Sequence, residues 1–403
     1  MTSRHHIKRR IAAASVTTAG LAALLASVTA LPAEAAPALG TVLNADSSHA
    51  VSGSYIVTLK DSAGFKATAR QGKNLVSAYG GTVKRTYTSA LNGYSATLTS
   101  TEARRLAADP KVASVEQDQV VHALGTQTNA PWGLDRIDQS SLPLSGTYTY
   151  PDSGGSGATV YVLDTGVRIT HQEFGGRASY GYDFVDNDAT AQDGYGHGTF
   201  VATNVAGRTY GVAKQAKIVA VRVLGNDGSG TTAGVIAGVD WITSHHVANS
   251  VANVSLGGGA STSLDTAVNN SIASGVTYSV AAGNSGANAA NYSPARVAAA
   301  LTVGATTSTD ARASYSNYGS TVDIFAPGSN ITAGWNTSDT ATYTGSGTSF
   351  AAPHVSGAAA LYLTAHPGAS PATVGAALVN GATNGVLTGI GSGSPNKLLK
   401  LVP

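Results

Sequence analysis

The sequence contains no cysteine, and its one methionine is Met1. Without cysteine the protein has no disulfide, no thiolate nucleophile and no cysteine-ligated zinc site. A formal net charge of +2 at pH 7 gives no electrostatic reason to expect a nucleic-acid partner. These absences exclude disulfide-stapled, thiol-dependent and cysteine–zinc classes of protein.

Charged residues are also scarce, at 11% of the chain, whereas glycine is abundant, with 48 of 403 residues. Soluble domains usually have about a quarter of charged residues and about 7% glycine. We therefore expect a compact, loop-rich globular protein with a weakly charged surface. Its length accommodates one large domain together with smaller pieces.

The N-terminal segment combines basic residues within positions 1–10 with an apolar, small-residue run over positions 11–31. Residues 33–35, Ala-Glu-Ala, then fit the cleavage site of an exported protein. We predict that residues 1–35 are a signal peptide and that the mature protein is secreted and extracellular. A lasting membrane anchor is disfavoured, because the run is rich in alanine and threonine and precedes that site.

Residues 36–124 form the second segment, with period-two strand patterns at 55–59, 82–87, 93–98 and 112–121. Helical patterns cover residues 65–79 and start again at Thr101, taken as a threonine cap. The order β-α-β-β-α-β predicts a small α+β, ferredoxin-like domain.

A sharp change of composition at residues 125–129, Gly-Thr-Gln-Thr-Asn, is typical of an exposed, cleavable linker. We interpret residues 36–124 as a removable pro-domain, with an independent binding module as the alternative. Cleavage is expected between Leu124 and Gly125.

Residues 125–403 alternate apolar strands with helices. The predicted strands lie at residues 159–163, 218–223, 251–256, 276–281 and 300–303, and the helices at 198–206, 232–245, 263–273 and 351–366. This alternation predicts an α/β domain with a doubly wound parallel sheet and flanking helices. Its functional site is expected beyond the C-terminal ends of the strands.

Asp164 directly follows a predicted strand, and a buried carboxylate requires a partner. Asp-Thr-Gly at residues 164–166 also matches aspartic proteases, which need two such motifs, one in each lobe. The nearest counterpart, Asp152-Ser153-Gly154, is only twelve residues away, and that spacing cannot build two lobes. The aspartic interpretation is therefore disfavoured.

His197 and Ser349 both lie in glycine-rich entries to predicted helices. A helix N-terminus favours developing negative charge, which suits a nucleophile. Taken singly, a serine N-cap and a structural histidine are the alternatives, but Asp164 nearby in the predicted fold favours a catalytic combination. Pro353 is expected in the first turn of its helix, where proline is tolerated.

Asn284 follows the predicted strand at residues 276–281, and its side-chain amide can donate to an oxyanion. A turn asparagine is the alternative. Residues 255–259, Ser-Leu-Gly-Gly-Gly, end another strand and leave a bare edge on which an extended peptide can lie by strand addition.

Three of these segments resemble the signatures of the subtilisin-like serine proteases: Asp164-Thr165-Gly166, His197-Gly198-Thr199 and residues 347–353, Gly-Thr-Ser-Phe-Ala-Ala-Pro. The order Asp, His, Ser along the chain is that of subtilisin. Residues 131–135, 253–258, 281–284 and 291–295 resemble the proteinase K branch, in particular aqualysin-type enzymes. Residues 36–124 are similar to the inhibitory pro-domain of this family.

The resemblance implies that Ser349 is the nucleophile, that His197 is the general base and then the general acid, and that Asp164 orients the imidazole. Asn284 and the backbone N–H of Ser349 would form the oxyanion hole. Two substrate-binding sets are also implied, one pairing with the peptide backbone and one lining the pocket for the residue before the scissile bond: Ser255, Leu256 and Gly257, and Ala281, Ala282 and Gly283.

The implied enzyme is a monomeric, secreted serine endopeptidase of proteins and peptides, made as a self-processing zymogen inhibited by its own pro-domain. The uncharged pocket predicts a broad preference for apolar residues before the scissile bond. The chain departs from its relatives at Phe350, where methionine is usual, and at Phe200, where a second histidine is frequent.

The resemblance also implies structural Ca²⁺ at one or two sites. Asp323, with the backbone carbonyls of Ala298 and Ala300, matches one site, and Asp135, Asp138 and Gln139 match a second. Surface carboxylates are the alternative at both. The acidic loop with Asp183, Asp186, Asp188 and Asp193 is expected to be solvated.

Two other functions remain to be distinguished. A secreted α/β-hydrolase esterase would need Gly-x-Ser-x-Gly, whereas residues 347–351 lack the second glycine and the triad order differs. A binding protein on an inactive protease fold is disfavoured by the intact set of Asp164, His197, Ser349 and Asn284.

Overall fold

The computed structural model describes residues 38–47, 50–119 and 124–401. The predicted signal peptide at residues 1–35, and residues 121–123 just before the predicted cleavage site, lie outside this part of the chain. The chain divides into two compact units, Met1–Gln119 and Val120–Pro403.

The smaller unit is a five-stranded sheet with two helices. Its elements are β1 (Val42–Leu43), β2 (Ala50–Leu59), α1 (Arg70–Ala78), β3 (Thr82–Tyr87), β4 (Gly93–Thr97), α2 (Ser100–Ala107) and β5 (Val112–Gln119). The strand order is β1-β5-β2-β4-β3, with β1 parallel to β5 and the other pairs antiparallel. From β2 onward this is the predicted ferredoxin-like order.

Both helices of this unit start at different residues from those predicted. Helix α1 begins only at Arg70, and the backbone N–H of Ala67, before the helix, donates to the side chain of Asn92. Helix α2 is capped by Thr99, not Thr101, in a capping box with Glu102.

The described part of the larger unit contains a nine-stranded main sheet and three two-stranded sheets. The strands in chain order are β6 (Leu124–Thr128), β7 (Thr147–Pro151), β8 (Thr159–Asp164), β9 (Ala178–Asp183), β10 (Lys217–Arg222), β11 (Ser250–Val254), β12 (Gly258–Gly259), β13 (Thr277–Ala281), β14 (Tyr292–Ser293), β15 (Leu301–Thr306), β16 (Ile324–Pro327), β17 (Ile331–Gly334), β18 (Thr342–Gly345), β19 (Thr383–Asn384) and β20 (Lys397–Leu398). The helices are α3 (Trp132–Ile137), α4 (His197–Ala206), α5 (Thr232–His245), α6 (Thr262–Ala273), α7 (Thr348–Ala365) and α8 (Pro371–Gly381). The two-stranded sheets are β6–β7, β12–β14 and β17–β18.

The main sheet has the order β19-β20-β16-β15-β13-β11-β8-β10-β9 and is parallel except for the edge pair β19–β20. The order reverses at β8, which lies between β10 and β11. The C-terminal ends of β8, β11 and β13 therefore meet at one edge of the sheet, next to the topological switch point.

Helices cover both faces of the sheet, as β8 shows. Val160 and Val162 of this strand pack in the same core as α4, α7 and α8, whereas Tyr161 and Leu163 pack with α5 and α6. Successive side chains of a strand point to opposite faces, so a strand buried on both faces is apolar throughout. This confirms the predicted α/β class with a doubly wound parallel sheet.

The predicted linker at residues 125–129 is mostly strand β6, which is paired with β7. Strands β9 and β16 and helix α8 are among the other elements that were not predicted, and three predicted elements have different bounds. Strand β11 stops at Val254, strand β15 extends to Thr306, and helix α7 starts at Thr348. Within residues 38–47, 50–119 and 124–401, no helix is both long and apolar enough to cross a bilayer.

Candidate active site

Asp164 and His197 lie in direct contact at the C-terminal edge of the sheet. Asp164 is the last residue of β8 and is fully buried, and His197 is the first residue of α4. Asp164 Oδ1 accepts hydrogen bonds from His197 Nδ1 at 2.7 Å and from the Thr165 backbone N–H at 2.8 Å.

The pKa of His197 is raised above its ordinary value, as the net result of effects that act in opposite directions. Burial is the largest effect and lowers the pKa, but the charge and hydrogen bond of Asp164 and the charge of Asp193 together outweigh it. The imidazole can therefore accept a proton at this position more readily than its burial alone would allow.

Two glycines permit the close approach of these segments. A Cβ on Gly198 would overlap the carbonyl oxygen of Gly166. Gly166 has a φ of +97° and its own Cβ would lie 2.6 Å from the backbone of Gln192. The glycines of the Asp-Thr-Gly and His-Gly-Thr motifs are thus required by backbone contact.

Ser349 is the second residue of α7, and its hydroxyl donates to the Ser255 carbonyl at 3.0 Å. In return the Ser255 hydroxyl donates to the Ser349 carbonyl at 2.9 Å. That carbonyl lacks its helical partner, because the partner would be the N–H of Pro353. The expectation that Pro353 lies in the first turn is wrong: the helix begins at Thr348, and Ser255 replaces the hydrogen bond that the proline removes.

Asn284 is fixed by the residue before Ser349. Its Oδ1 accepts from the backbone N–H of Thr348 at 2.8 Å and from the Thr348 hydroxyl at 2.9 Å. The Thr348 hydroxyl in turn accepts from the Gly283 N–H at 3.1 Å. With Oδ1 held, the two Nδ2 hydrogens of Asn284 are left as donors at the opposite side of the amide.

Two adjoining cavities meet at these residues. The larger, of about 490 Å³, is lined by Thr165, His197, Leu256, Gly257 and by residues of the loop before α5 and of α5 itself. The smaller, of about 230 Å³, is lined by Ala281, Ala282, Gly283, Asn284, Ser349 and also by Leu256 and Gly257. All lining residues of the smaller cavity are uncharged.

An aromatic cluster lies beside the site. The Phe350 ring is 4.1 Å from that of Phe200 and 5.7 Å from the His197 imidazole, measured between centroids. Trp335 and Tyr343 pack on Phe200 at 6.4 Å and 6.2 Å. The two departures from the family pattern, Phe200 and Phe350, are therefore in contact with each other.

The acidic loop is only partly solvated. Asp188 is exposed, but Asp183 and Asp193 are buried. Asp183 pairs with Arg222 at 2.6 Å, and Asp193 is bonded to the segments around His197. The prediction was wrong for these two residues because each has a partner that lies far away in the sequence, Arg222 for Asp183 and Thr165 for Asp193.

The predicted calcium ligands fall in two places. Asp323 precedes β16, and its Oδ2 accepts from the Thr302 N–H at 2.8 Å; Ala298 and Ala300 lie just before β15. Asp135 accepts from Ser145 and Gly146, Gln139 from Ser145, and Asp138 from Thr149. Among the described residues, no group of three or more His, Asp or Glu side chains is placed to hold a metal ion.

A buried carboxylate on an imidazole, beside a serine hydroxyl at a helix N-terminus, is the constellation of hydrolases that use an activated serine. Comparisons with known proteins agree with this class. Residues 155–394 match the family model described as the subtilase family, and residues 54–124 match the model of the peptidase inhibitor I9. The chain belongs to the subtilase family.

Individual relatives cover nearly the whole chain. This chain is 49% identical over 394 residues to the extracellular serine proteinase of Thermus sp. (strain Rt41A), and the match covers 93% of this chain and 96% of the relative. It is 42% identical over 404 residues to a cuticle-degrading serine protease of Arthrobotrys oligospora, covering 94% and 98%.

A solved structure agrees with the fold. The crystal structure of a cold adapted subtilisin-like serine proteinase matches with 54% identity and a TM-score of 0.67, covering 68% of this chain and 100% of that chain. The family resemblance, the fold class and the serine peptidase activity are thus confirmed: this chain is a serine endopeptidase with an I9-type inhibitory pro-domain.

Proposed function

We propose that this protein is a secreted endopeptidase, made as a self-processing zymogen, in which Asp164, His197 and Ser349 form the catalytic triad. The observation that carries the proposal is the 2.7 Å contact between His197 and the buried Asp164. His197 lines one of the two adjoining cavities and Ser349 lines the other. The names of the relatives, extracellular and cuticle-degrading proteases, support secretion and action on proteins.

Catalysis starts when the Ser349 hydroxyl turns from the Ser255 carbonyl toward His197. A hydroxyl has a single hydrogen, so its bond to Ser255 must break before the imidazole can take the proton. Ser349 Oγ then attacks the scissile carbonyl, and His197 gives the proton to the leaving amine as the C–N bond breaks. Water repeats the sequence on the acyl-enzyme and releases the second product.

The oxyanion of each tetrahedral intermediate would accept hydrogen bonds from Asn284 Nδ2 and from the Ser349 N–H at the start of α7. Thr348 holds the Asn284 amide in the required orientation. A donor that is preorganised in this way lowers the barrier by about 3–4 kcal/mol.

Substrate would bind as an extended strand along Ser255, Leu256 and Gly257. Gly257 and the glycines of β12 are exposed, and a Cβ on Gly258 or Gly259 would meet no atom within 4 Å, so the edge is open to a peptide backbone. The smaller cavity, with Ala281, Ala282 and Gly283 in its wall, would take the side chain before the scissile bond. Its lack of charge favours apolar side chains of varied size.

Maturation is proposed to remove residues 36–124 after the signal peptide, residues 1–35. The I9 match ends at residue 124, next to the Gly125 boundary inferred from composition. The separated pro-domain would then act as an inhibitor of the peptidase, residues 125–403, and the mature enzyme would be a monomer without a membrane anchor or nucleic-acid partner.

Calcium is proposed as a structural ion at one or two sites. Burial raises the pKa of Asp323 to about 6, so its carboxylate lacks a compensating positive charge that a cation would supply. At the second site Asp138 Oδ1 is buried without a partner, and oxygens of Asp135 and Gln139 both accept hydrogen bonds from Ser145. The donor set of carboxylate, amide and carbonyl oxygens, with Ala298 and Ala300 as carbonyl donors at the first site, suits Ca²⁺.

The test compares Ser349→Ala with Ser338→Ala, a change of an exposed serine on a neighbouring loop. Ser349→Ala is expected to lose casein hydrolysis by about 10³-fold or more and to accumulate as the proform, whereas Ser338→Ala should match the wild type. N-terminal sequencing that found Gly125 as the first residue of the Ser349→Ala protein would refute self-processing. A wild-type protein that fails to react with a fluorophosphonate would instead support a binding protein on an inactive fold.

A further inference from the structure

Asp193 lies outside the proposed triad, yet it is only 4% exposed and accepts five hydrogen bonds. Its Oδ1 accepts from the Thr165 hydroxyl at 2.8 Å and from the N–H groups of Tyr195 and Gly196 at 2.9 Å and 2.7 Å. Its Oδ2 accepts from the N–H and the hydroxyl of Thr199 at 2.9 Å and 2.6 Å.

These bonds surround His197. Gly196 precedes the histidine and Thr199 is two residues after it, and helix α4 has no side-chain cap at its own N-cap position, Gly196. Asp193 therefore serves as the N-terminal cap of the helix that begins with His197. Its charge lies at the helix end that favours an anion.

Thr165 connects this cap to the other triad segment. Its hydroxyl donates to Asp193 and accepts from the Gly198 N–H at 2.9 Å, while its own N–H is bonded to Asp164. One hydroxyl thus links the segment of the orienting acid to the segment of the base.

The electrostatics agree with the geometry. Asp164 on β8 and Asp193 on the loop before α4 are the two charged side chains that act on His197, and the side chain facing it from α7 is the uncharged Phe350. Both carboxylates favour the protonated imidazole, which forms when Ser349 gives up its proton.

We propose that Asp193 is a positioning residue: it fixes the orientation of His197 against Asp164 and stabilises the imidazolium during proton transfer. The proposal rests on the proposed role of His197 as the general base. Asp193 makes no contact with the reacting atoms in this mechanism and acts through the histidine and through Thr165.

The decisive variant is Asp193→Asn. An amide keeps the size of the side chain, but its Nδ2 hydrogens face the Thr199 N–H, and the negative charge is lost. We expect kcat to fall by about 10- to 100-fold with KM changed by less than about threefold. The acid limb of the kcat/KM profile should move to lower pH by about half a unit or more, because the free imidazolium loses a stabilising charge.

Three further variants separate the explanations. Asp186→Asn removes the charge of an exposed loop acid bound to Arg222, and should leave the rate and the acid limb unchanged. Thr165→Val keeps the Asp193 charge but breaks the link, so kcat should fall while the acid limb stays in place. Asp193→Glu should return the acid limb to the wild-type position with kcat only partly recovered.

Rates are to be normalised by active-site titration with a fluorophosphonate, so that unfolded protein does not enter them. An Asp193→Asn enzyme with lower kcat but an unmoved acid limb would reduce Asp193 to a structural residue and overturn the proposal, as would an unchanged kcat. If Asp193→Asn does not fold, an unchanged kcat in Thr165→Val overturns it. Failure of the proposed function is distinct: His197→Ala would then keep an active, titratable enzyme.

Discussion

At the scale of single residues, Phe350 replaces a sulfur next to the proposed nucleophile. Methionine oxidises to a bulkier, polar sulfoxide, whereas the Phe350 ring packs on Phe200 and His197. Since Met1 is the only methionine and cysteine is absent, the mature enzyme has no sulfur to oxidise.

We predict that peroxide leaves wild-type activity nearly intact and that Phe350→Met makes the enzyme sensitive. The measurement is residual peptidase activity after a fixed peroxide dose, with Phe200→Met as the matched control, because Phe200 is fully buried behind Phe350. Rapid loss of wild-type activity would show that another residue, such as Trp241 or His197, is the vulnerable one.

Single residues also mark the limit of what the sequence predicted. The positions of Asp164 at a strand end and of His197 and Ser349 at helix starts were predictable from the apolar strand pattern and the glycine-rich helix entries. Their proposed roles came from the resemblance to the family. Asp193 was not, because an acid in an acidic loop is usually solvated. Its burial depends on donors from Thr165 and Thr199, and only the fold brings the first of these within reach.

At the scale of elements, helix α7 contains a proline in its second turn, and Ser255 repairs the missing hydrogen bond. The Ser349 carbonyl is only partly buried, so leaving it without a protein partner should cost about 1 kcal/mol. We therefore predict that Ser255→Ala lowers the unfolding free energy by this amount, and by clearly less when Pro353→Ala supplies an N–H at position 353.

This double-mutant cycle is measured by calorimetry on fluorophosphonate-inhibited mature enzyme, which prevents autolysis. Ser279→Ala is the control, because the Ser279 hydroxyl donates to the Ala352 carbonyl, whose helical partner at position 356 is intact. Its cost should be the same with and without Pro353→Ala. An equal cost of Ser255→Ala in both backgrounds would contradict the assignment.

Strands that are buried on both faces, such as β8 and β13, were predicted correctly, because burial on both faces gives a continuous apolar run that is easy to recognise. Strand β9 was missed because it is at the edge of the sheet and only its first and last residues are buried. Helix α8 was missed although Ser370 caps it and Pro371 is its first residue, which is a sequence signal that could have located it.

At the scale of the whole molecule, a protein without disulfides depends on packing and on any bound ion. The variant Asp323→Asn tests for the ion, because its effect on the free energy of unfolding should have opposite signs with and without calcium. In chelator at pH 8 the partly buried, ionised carboxylate of Asp323 destabilises the fold, since desolvation raises its pKa to about 6. Asp323→Asn should then be as stable as the wild type or more stable.

In millimolar calcium the wild type should instead be more stable than Asp323→Asn. A metal that binds only the native state stabilises it by about 2.7 kcal/mol at a hundredfold excess over Kd, and the amide that replaces the carboxylate in the variant would bind it more weakly. The melting temperatures of the inhibited enzymes in both buffers decide the matter. If the melting temperatures of the two proteins differ by the same amount with and without calcium, Asp323 does not bind the ion.

The contact between Gly166 and Gly198 has a consequence for how this enzyme can change over generations. The walls of the two cavities include side chains such as those of Leu256, Ala281 and Tyr292, which point mutations can enlarge, shrink or charge one at a time. The spacing of Asp164 and His197 is set by main chain against main chain, where no methyl group fits. We therefore expect that substitutions in the cavity walls can change substrate preference step by step, whereas a side chain at Gly166 or Gly198 would displace the proposed acid from the proposed base.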